Sequence, residues 1–205
     1  MSNYFRTDTA LDLVETLELT NDFFYKSKTD ARYWKWFINA LHSAVQSTAS
    51  LALEAGNGFL IQEPKIAMQM MKADMFKPVS PRMDRFIDLV KKSLDKSNLR
   101  DSAIPFEAND CVIAFSSIND LRNDFAHFNV KSWSIEFMLI LKNSSILAEY
   151  VEHYTIGTPA ILWHDEEHQQ RATKSVKNLR NLIQLRLTTQ KRQVHVQGTT
   201  QFNET

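Results

Sequence analysis

The stretch DARYWKWFINALHSAVQSTASLA, residues 30–52, contains the most regular helical pattern in the chain. Its inward-facing positions recur every three or four residues on one broad face, namely Tyr33, Trp34, Phe37, Ile38, Leu41, Ala44, Val45, Thr48 and Ala52. Asp30 can cap the helix at its start, and Gly56-Asn57-Gly58 stops it. The stretch therefore predicts a long helix whose apolar face is covered by other helices.

Similar patterns occur on both sides of this helix. They predict further helices over 9–26, from Pro64 to near Pro78, from Ser80-Pro81 to about Leu94, over 109–127, from a Ser132 cap to Tyr150, and over 166–189. Only four glycines occur in 205 residues, which argues against a turn-rich β protein. The predicted fold class is all-α, an antiparallel helical bundle, because each apolar stripe must be covered by its neighbours.

The chain has a length suited to one well-filled domain. Residues 194–205 lack periodicity and carry several polar side chains. We therefore predict a single helical domain over residues 1–193, followed by a flexible polar tail over 194–205.

Charge and composition limit the possible functions. Lys and Arg together number 24, as do Asp and Glu, so no overall charge attracts the protein to nucleic acid or a membrane. The N-terminal residues lack the apolar run of a signal peptide, and no later run is long enough to span a membrane. These features predict a soluble, cytoplasmic protein. The single Cys111 excludes an internal disulfide and predicts a buried, inert thiol.

The segment LRNDFAHF, residues 121–128, combines a phosphate-binding type of cation with a proton-transferring imidazole. Arg122 and His127 are five positions apart, about 140° round an ideal helix, so they cannot share a face unless the helix ends, Arg122 wraps round or a dimer completes the site. Asn123 and His127 do share a face. An arginine fork suits phosphate oxygens, and a histidine suits proton transfer near neutrality. The same residues also suit the end of a helix, where they satisfy free carbonyls, and spacing alone favours that structural role.

The last helix carries a second charge signal. Seven basic residues and no acidic one lie between Gln169 and Arg192, and Arg171, Lys174, Lys177 and Arg180 among them are candidates for RNA binding. A solvated helix face explains the same residues equally well.

Three further histidines are weaker candidates. His42 lies at the edge of the apolar face of its helix, where a core or boundary role is favoured over a role in a site. His164 and His168 have a spacing found in metal sites, but no third ligand stands at a recognisable distance. Acidic residues at a helix start are the simpler explanation of that segment, and no metal site is predicted.

The segment Arg122-Asn123-Asp124-Phe125-Ala126-His127 resembles the signature of the HEPN superfamily, in which an arginine and a polar residue precede a histidine at the end of a bundle helix. The aromatic-rich stretch from Tyr33 to Gln46 resembles an early helix of one bacterial, often plasmid-borne branch of these domains. The likeness implies a four-helix up-and-down core with added helices, over roughly residues 8–190.

The resemblance also implies an activity, a metal-independent endoribonuclease that cleaves RNA by attack of the 2′-hydroxyl. Arg122 would contact the scissile phosphate, His127 would act as acid or base, and Asn123 would orient the site. The family implies a homodimer with the site at its interface, no cofactor, a role as a toxin or defence component, and a neutralising partner protein. Some toxin members carry a modifiable tyrosine two residues after the histidine. Here that position is Asn129, so control by that modification is not expected.

A different class of function fits the same residues. A non-catalytic helical module could bind RNA, a nucleotide or a protein partner through the same groove. Cleavage products distinguish the two hypotheses.

Overall fold

The computed structural model describes residues 7–54, 56–73, 78–126 and 134–201, with side chains described as far as residue 190. In this part of the chain the secondary structure is helical, apart from one isolated bridge between Gln62 and Met83. The α-helices are α1 (Thr9–Lys26), α2 (Tyr33–Ala52), α3 (Pro64–Lys72), α4 (Phe86–Ser93), α5 (Cys111–Ala126), α6 (Phe137–Glu152) and α7 (Glu166–Gln201). The predicted all-α bundle is therefore confirmed.

The long helices close around a single core. Helix α1 packs against α2 and α7, α6 packs against α7 and α5, and α2 completes the ring by contacting both α5 and α6. The short helix α4 covers the seam between α2 and α5. The largest fully buried side chains include Phe24, Phe37, Phe115, Tyr150 and Tyr154. The candidate functional site lies at the α2–α4–α5 seam.

Helix α2 keeps the face that its sequence predicts. Trp34, Phe37, Ile38, Leu41 and Val45 are buried, because α1, α5 and α6 surround this helix. The helix ends at Ala52, shortly before the Gly56-Asn57-Gly58 segment. Its apolar stripe therefore contributes directly to the bundle core, as expected of a helix with several neighbours.

The predicted helix start at Ser80-Pro81 is wrong. Helix α4 begins at Phe86, because backbone groups of the preceding segment bond to a distant part of the chain. The amide of Glu63 donates to the carbonyl of Arg82 at 3.0 Å, and the amide of Asp84 donates to the carbonyl of Ile61 at 2.9 Å. These bonds hold residues 82–84 beside the segment before α3, so they cannot form the first turn of a helix.

Other helix ends also differ from the prediction. Helix α3 ends at Lys72 rather than near Pro78, and α7 continues to Gln201, past the predicted limit near Thr189. Helix α7 thus enters the segment 194–205 for which a flexible tail was predicted, and flexibility there stays a prediction. The predicted Ser132 cap lies outside the described residues.

A half-buried lysine anchors the segment before α3 to α4. The ammonium of Lys92 lies 2.7 Å from a carboxylate oxygen of Asp84, and it donates to the carbonyls of Leu60 and Gln62 at 2.9 and 3.0 Å. The side chain of Asp84 is 7% exposed and that of Lys92 is 23% exposed. Because this ion pair is largely desolvated, removing one partner leaves the other charge without compensation.

Replacing Lys92 with methionine is expected to lower the free energy of unfolding by about 2–4 kcal/mol, because Asp84 and two carbonyls lose a charged donor. Urea unfolding followed by circular dichroism measures the change. Lys91→Met is the matched control, since Lys91 is exposed on the same helix and should change stability by less than about 0.5 kcal/mol. Equal effects of the two substitutions would contradict the anchoring role of Lys92.

Within the described ranges, none of the helices combines the length and the apolar character that crossing a membrane requires.

Candidate functional site

A cavity of about 520 Å³ opens at the seam between α2, α4 and α5. Seven of its nine lining residues are polar or charged, and they come from three separate stretches of the chain. Its lining consists of His42 and Gln46 from α2, Arg85 to Asp88 at the start of α4, and Asn119, Arg122 and Asn123 from α5. The bundle therefore brings the predicted pair Arg122 and Asn123 to one concave surface, together with a second arginine and a histidine.

Arg122 and Asn123 hold each other in this cavity. Nη1 of Arg122 donates to the side-chain oxygen of Asn123 at 3.0 Å. A guanidinium has only donors, so the oxygen of Asn123 must face Arg122 and its NH₂ group is turned away from that contact. The bond holds one nitrogen of the guanidinium against Asn123.

His42 is buried beneath the same cavity. His42 is 3% exposed, and its ring stacks on that of Phe86, with the ring centroids 3.9 Å apart and an angle of 23° between the planes. Nε2 of His42 lies 3.2 Å from the side-chain oxygen of Asn119. Burial lowers the pKa of His42 to about 4; the positive charge of Arg122 acts in the same direction, while the bond to Asn119 opposes it. The ring is therefore neutral at physiological pH.

The cavity is rich in hydrogen-bond donors. The side-chain oxygens of Asn119 and Asn123 accept bonds from His42 and Arg122, so the NH₂ group of each amide is turned away from these contacts. Two arginines and one carboxylate, that of Asp88, are among the lining residues. Positive charge combined with free N–H donors is the chemistry that binds a phosphate or another oxyanion.

The predicted catalytic residues divide into two groups. Arg122 and Asn123 lie together in the cavity, whereas His127 lies outside the described residues. The sequence pattern indicated no role for Asn119 or Arg85 and favoured a structural role for His42. Asn119 was detectable, because it is three and four residues before Arg122 and Asn123 and shares their helix face. Arg85 and His42 could not be identified from the sequence as cavity residues, because only tertiary packing brings α2 and the start of α4 beside α5.

The four predicted RNA-binding residues of α7 fall into two groups, two arginines that are paired with carboxylates and two exposed lysines. Arg171 makes a paired contact with Glu18 of α1, at 2.8 and 3.0 Å, and Arg180 lies 2.7 Å from Glu149 of α6. Lys174 and Lys177 are exposed between them. The two arginines thus join helices of the bundle, and the two lysines present their charge to solvent.

These α7 residues are not part of the cavity. Helix α7 packs against α1 and α6, whereas α2, α4 and α5 form the cavity wall. An RNA backbone touching both regions of one molecule would have to pass round the bundle.

A second concavity lies on the adjoining face of α5. It has a volume of about 510 Å³ and a largely apolar wall that includes Val112, Ile113, Leu121, Ile135 and Leu139. Ile113 is 66% exposed and Leu139 is 47% exposed. Large exposed apolar side chains gathered on one surface are typical of a protein contact.

The segment around His164 and His168 forms the start of α7. Glu166 and Glu167 lie in the first turn of α7, so acidic residues stand at a helix start as predicted. A side-chain oxygen of Asp165 also accepts bonds from the amides of Glu167 at 2.7 Å and His168 at 3.3 Å. Among the described residues, no group of three or more His, Cys, Asp or Glu side chains is placed to hold a metal ion. Cys111 is buried, as its sequence context predicts.

The buried neutral state of His42 makes stability depend on pH. The unfolded chain takes up a proton near pH 6.5, whereas the folded protein does so only near pH 4. Stability from this group is therefore complete above pH 6.5 and falls as the pH drops towards 4, by up to about 3 kcal/mol. The difference in unfolding free energy between the wild type and His42→Gln, measured from pH 4 to pH 7, isolates this contribution. A difference that stays constant over that range would contradict the assignment.

Comparison of the chain with protein-family models, curated proteins and solved structures finds no match. The protein is therefore described by its structure, as an all-α bundle with a cavity whose lining includes two arginines, two asparagines and one carboxylate.

Proposed function

We propose that this protein is a metal-independent endoribonuclease that cleaves RNA by attack of the 2′-hydroxyl on the adjacent phosphate. The observation that carries the proposal is the placement of Arg122 in a cavity of about 520 Å³ whose other polar groups include Arg85, Asn119 and Asn123. A phosphodiester has the charge and the hydrogen-bond acceptors that such a surface binds.

In this proposal Arg122 binds the scissile phosphate. Its guanidinium neutralises the charge that grows on the non-bridging oxygens as the 2′-oxygen attacks phosphorus and the bond to the 5′-oxygen breaks. The bond to Asn123 orients the guanidinium, so that less rotamer freedom is lost on binding. Arg85 adds a second positive charge at the cavity wall.

His127 is proposed as the acid or base. It directly follows the last residue of α5, Ala126, and stands four residues after Asn123 in the sequence. An imidazole with an ordinary pKa can take the proton of the 2′-hydroxyl or give a proton to the departing 5′-oxygen near neutrality.

The proposed assembly is a homodimer. The apolar concavity beside Ile113 and Leu139 supports it, since burying these side chains against a second copy removes apolar surface from water. The concavity lies on α5, the helix that carries Arg122, so a contact there lies close to the proposed site.

The exposed Lys174 and Lys177 support a secondary contact with RNA outside the cavity. Because Arg171 and Arg180 are already paired with carboxylates, they contribute less to that contact. The proposal includes a role in the cytoplasm as a toxin or defence component with a neutralising partner protein.

A second candidate function is a non-catalytic module that binds RNA, a nucleotide or a protein. One observation favours it: the histidine that the structure describes at the cavity, His42, has a pKa of about 4 and does not exchange protons readily at pH 7. The described part of the cavity therefore supplies binding groups, and proton transfer depends on His127.

The test uses the full chain with single-stranded and structured RNA in the presence of a chelator. Cleavage to products with 2′,3′-cyclic phosphate ends is expected, and His127→Ala should abolish it. His164→Ala is the matched control, because His164 is exposed at the start of α7, away from the cavity. Cleavage that His127→Ala leaves undiminished would overturn the proposal, and RNA binding without cleavage would favour the second candidate.

A further inference from the structure

The contact between His42 and Asn119 links the core of the bundle to the cavity. Its two members come from different helices, α2 and α5, and the side-chain atoms are 3.2 Å apart. We propose that His42 is a positioning residue, which turns the amide NH₂ group of Asn119 towards a phosphate bound at Arg122. This inference rests on the proposed function, and it adds a residue that makes the same site selective for an anionic ligand.

The direction of the hydrogen bond follows from the atoms involved. The side-chain oxygen of Asn119 only accepts, so the neutral ring of His42 carries its proton on Nε2 and donates. An amide group is planar, and fixing its oxygen therefore fixes its nitrogen. His42 thus determines which end of Asn119 faces the cavity.

The surroundings of His42 hold its ring in this role. Stacking on Phe86, with ring centroids 3.9 Å apart, sets the plane of the imidazole. The residue is 3% exposed, so water does not compete for Nε2. A role in core packing alone would need neither the polar ring edge nor a partner that lines the cavity.

The charges at the cavity identify the ligand class. Arg122 and Arg85 outnumber the single carboxylate among the lining residues, Asp88, so the surface favours an anion. With its oxygen engaged by His42, Asn119 adds a neutral donor, which suits a phosphate oxygen and disfavours cationic ligands. Rotation of the amide by half a turn would present an acceptor instead and would repel the same oxygen.

Uridine 3′-monophosphate, which lacks a scissile bond, is the binding probe, and isothermal titration at pH 7 measures its affinity. His42→Phe keeps an aromatic ring on Phe86 but removes the donor, and it should weaken binding about tenfold. His42→Gln restores an N–H donor at similar reach and should bind within about threefold of the wild type. Asn119→Asp replaces the NH₂ group with a charged oxygen and should weaken binding more than about tenfold.

Two further variants separate this inference from the proposed function. Arg122→Gln tests the phosphate site itself. Thr48→Val is the matched control for a change in the buried face of α2, because Thr48 is buried but does not line the cavity. Thermal unfolding of every variant identifies any loss of the fold.

The outcomes are distinct. Weak binding by His42→Phe and Asn119→Asp, restored in His42→Gln, supports the inference. Weak binding by Arg122→Gln with full binding by His42→Phe overturns it and leaves the proposed phosphate site standing. Unchanged binding in all variants, including Arg122→Gln, overturns both. If His42→Phe does not fold, Asn119→Leu decides, since full binding by that variant would overturn the role of the amide.

Discussion

Replacing Arg122 with alanine is expected to lower the rate of RNA cleavage about 10²–10³-fold, the cost of removing one group that stabilises transition-state charge. Arg122 lines the cavity and is already held by Asn123 at 3.0 Å, so little reorganisation accompanies binding. Single-turnover cleavage of a labelled RNA in chelator measures the rate. Arg122→Lys should retain part of the activity, because the charge remains while the planar fork is lost.

Arg82→Ala is the matched control for Arg122→Ala. The side chain of Arg82 is 72% exposed, contacts Glu63 and does not line the cavity. We expect its cleavage rate to stay within about twofold of the wild type, as for a surface substitution. If Arg122→Ala folds normally and cleaves as fast as this control, the proposed site is wrong.

Replacing Phe37 with alanine is expected to lower the free energy of unfolding by about 3–5 kcal/mol, from lost burial and the resulting cavity. Phe37 is fully buried, and its ring lies 5.0 Å from that of Phe24 and 5.6 Å from that of Trp34, measured between centroids. Because small domains are stabilised by only about 5–15 kcal/mol, the loss is a large fraction of the total. Urea unfolding measures this loss, provided that the unfolding free energies of the variant and the wild type have the same dependence on urea concentration.

The neighbouring Trp36 provides the control for Phe37. It is 52% exposed, and its ring contacts Phe23 at a centroid distance of 6.4 Å. Trp36→Ala should cost less than about 1.5 kcal/mol, because half of the side chain is already in water. Equal losses at the two positions would mean that α2 does not bury the face described here.

Local patterns predicted most of the helices. Helix α1 has the predicted range, and α2 buries the predicted stripe, since hydrophobic periodicity reports directly which face of a helix leaves water. The predicted start of α4 was wrong. The local capping signal at Ser80-Pro81 favours a helix there, but residues 82–84 form hydrogen bonds with the Ile61–Glu63 segment instead. Such bonds are made between residues far apart in the sequence, and no local rule contains them.

The α7 arginines show the same limit for charge patterns. The sequence reveals a run of basic residues but not the carboxylates opposite them. Glu18 faces Arg171, and Glu149 faces Arg180, only because α1 and α6 pack on either side of α7. The exposed Lys174 and Lys177 are what remains of the predicted basic stripe.

By itself the sequence determined the fold class, because helical periodicity and scarce glycine are local properties of the chain. It also selected Arg122, Asn123 and His127 as candidates, from residue type and spacing. Only the tertiary structure decided that Arg122 shares a cavity with Arg85, and that His42 contacts Asn119. The physical reason is that a binding surface arises where helices meet, and the meeting of α2, α4 and α5 depends on how the whole core packs.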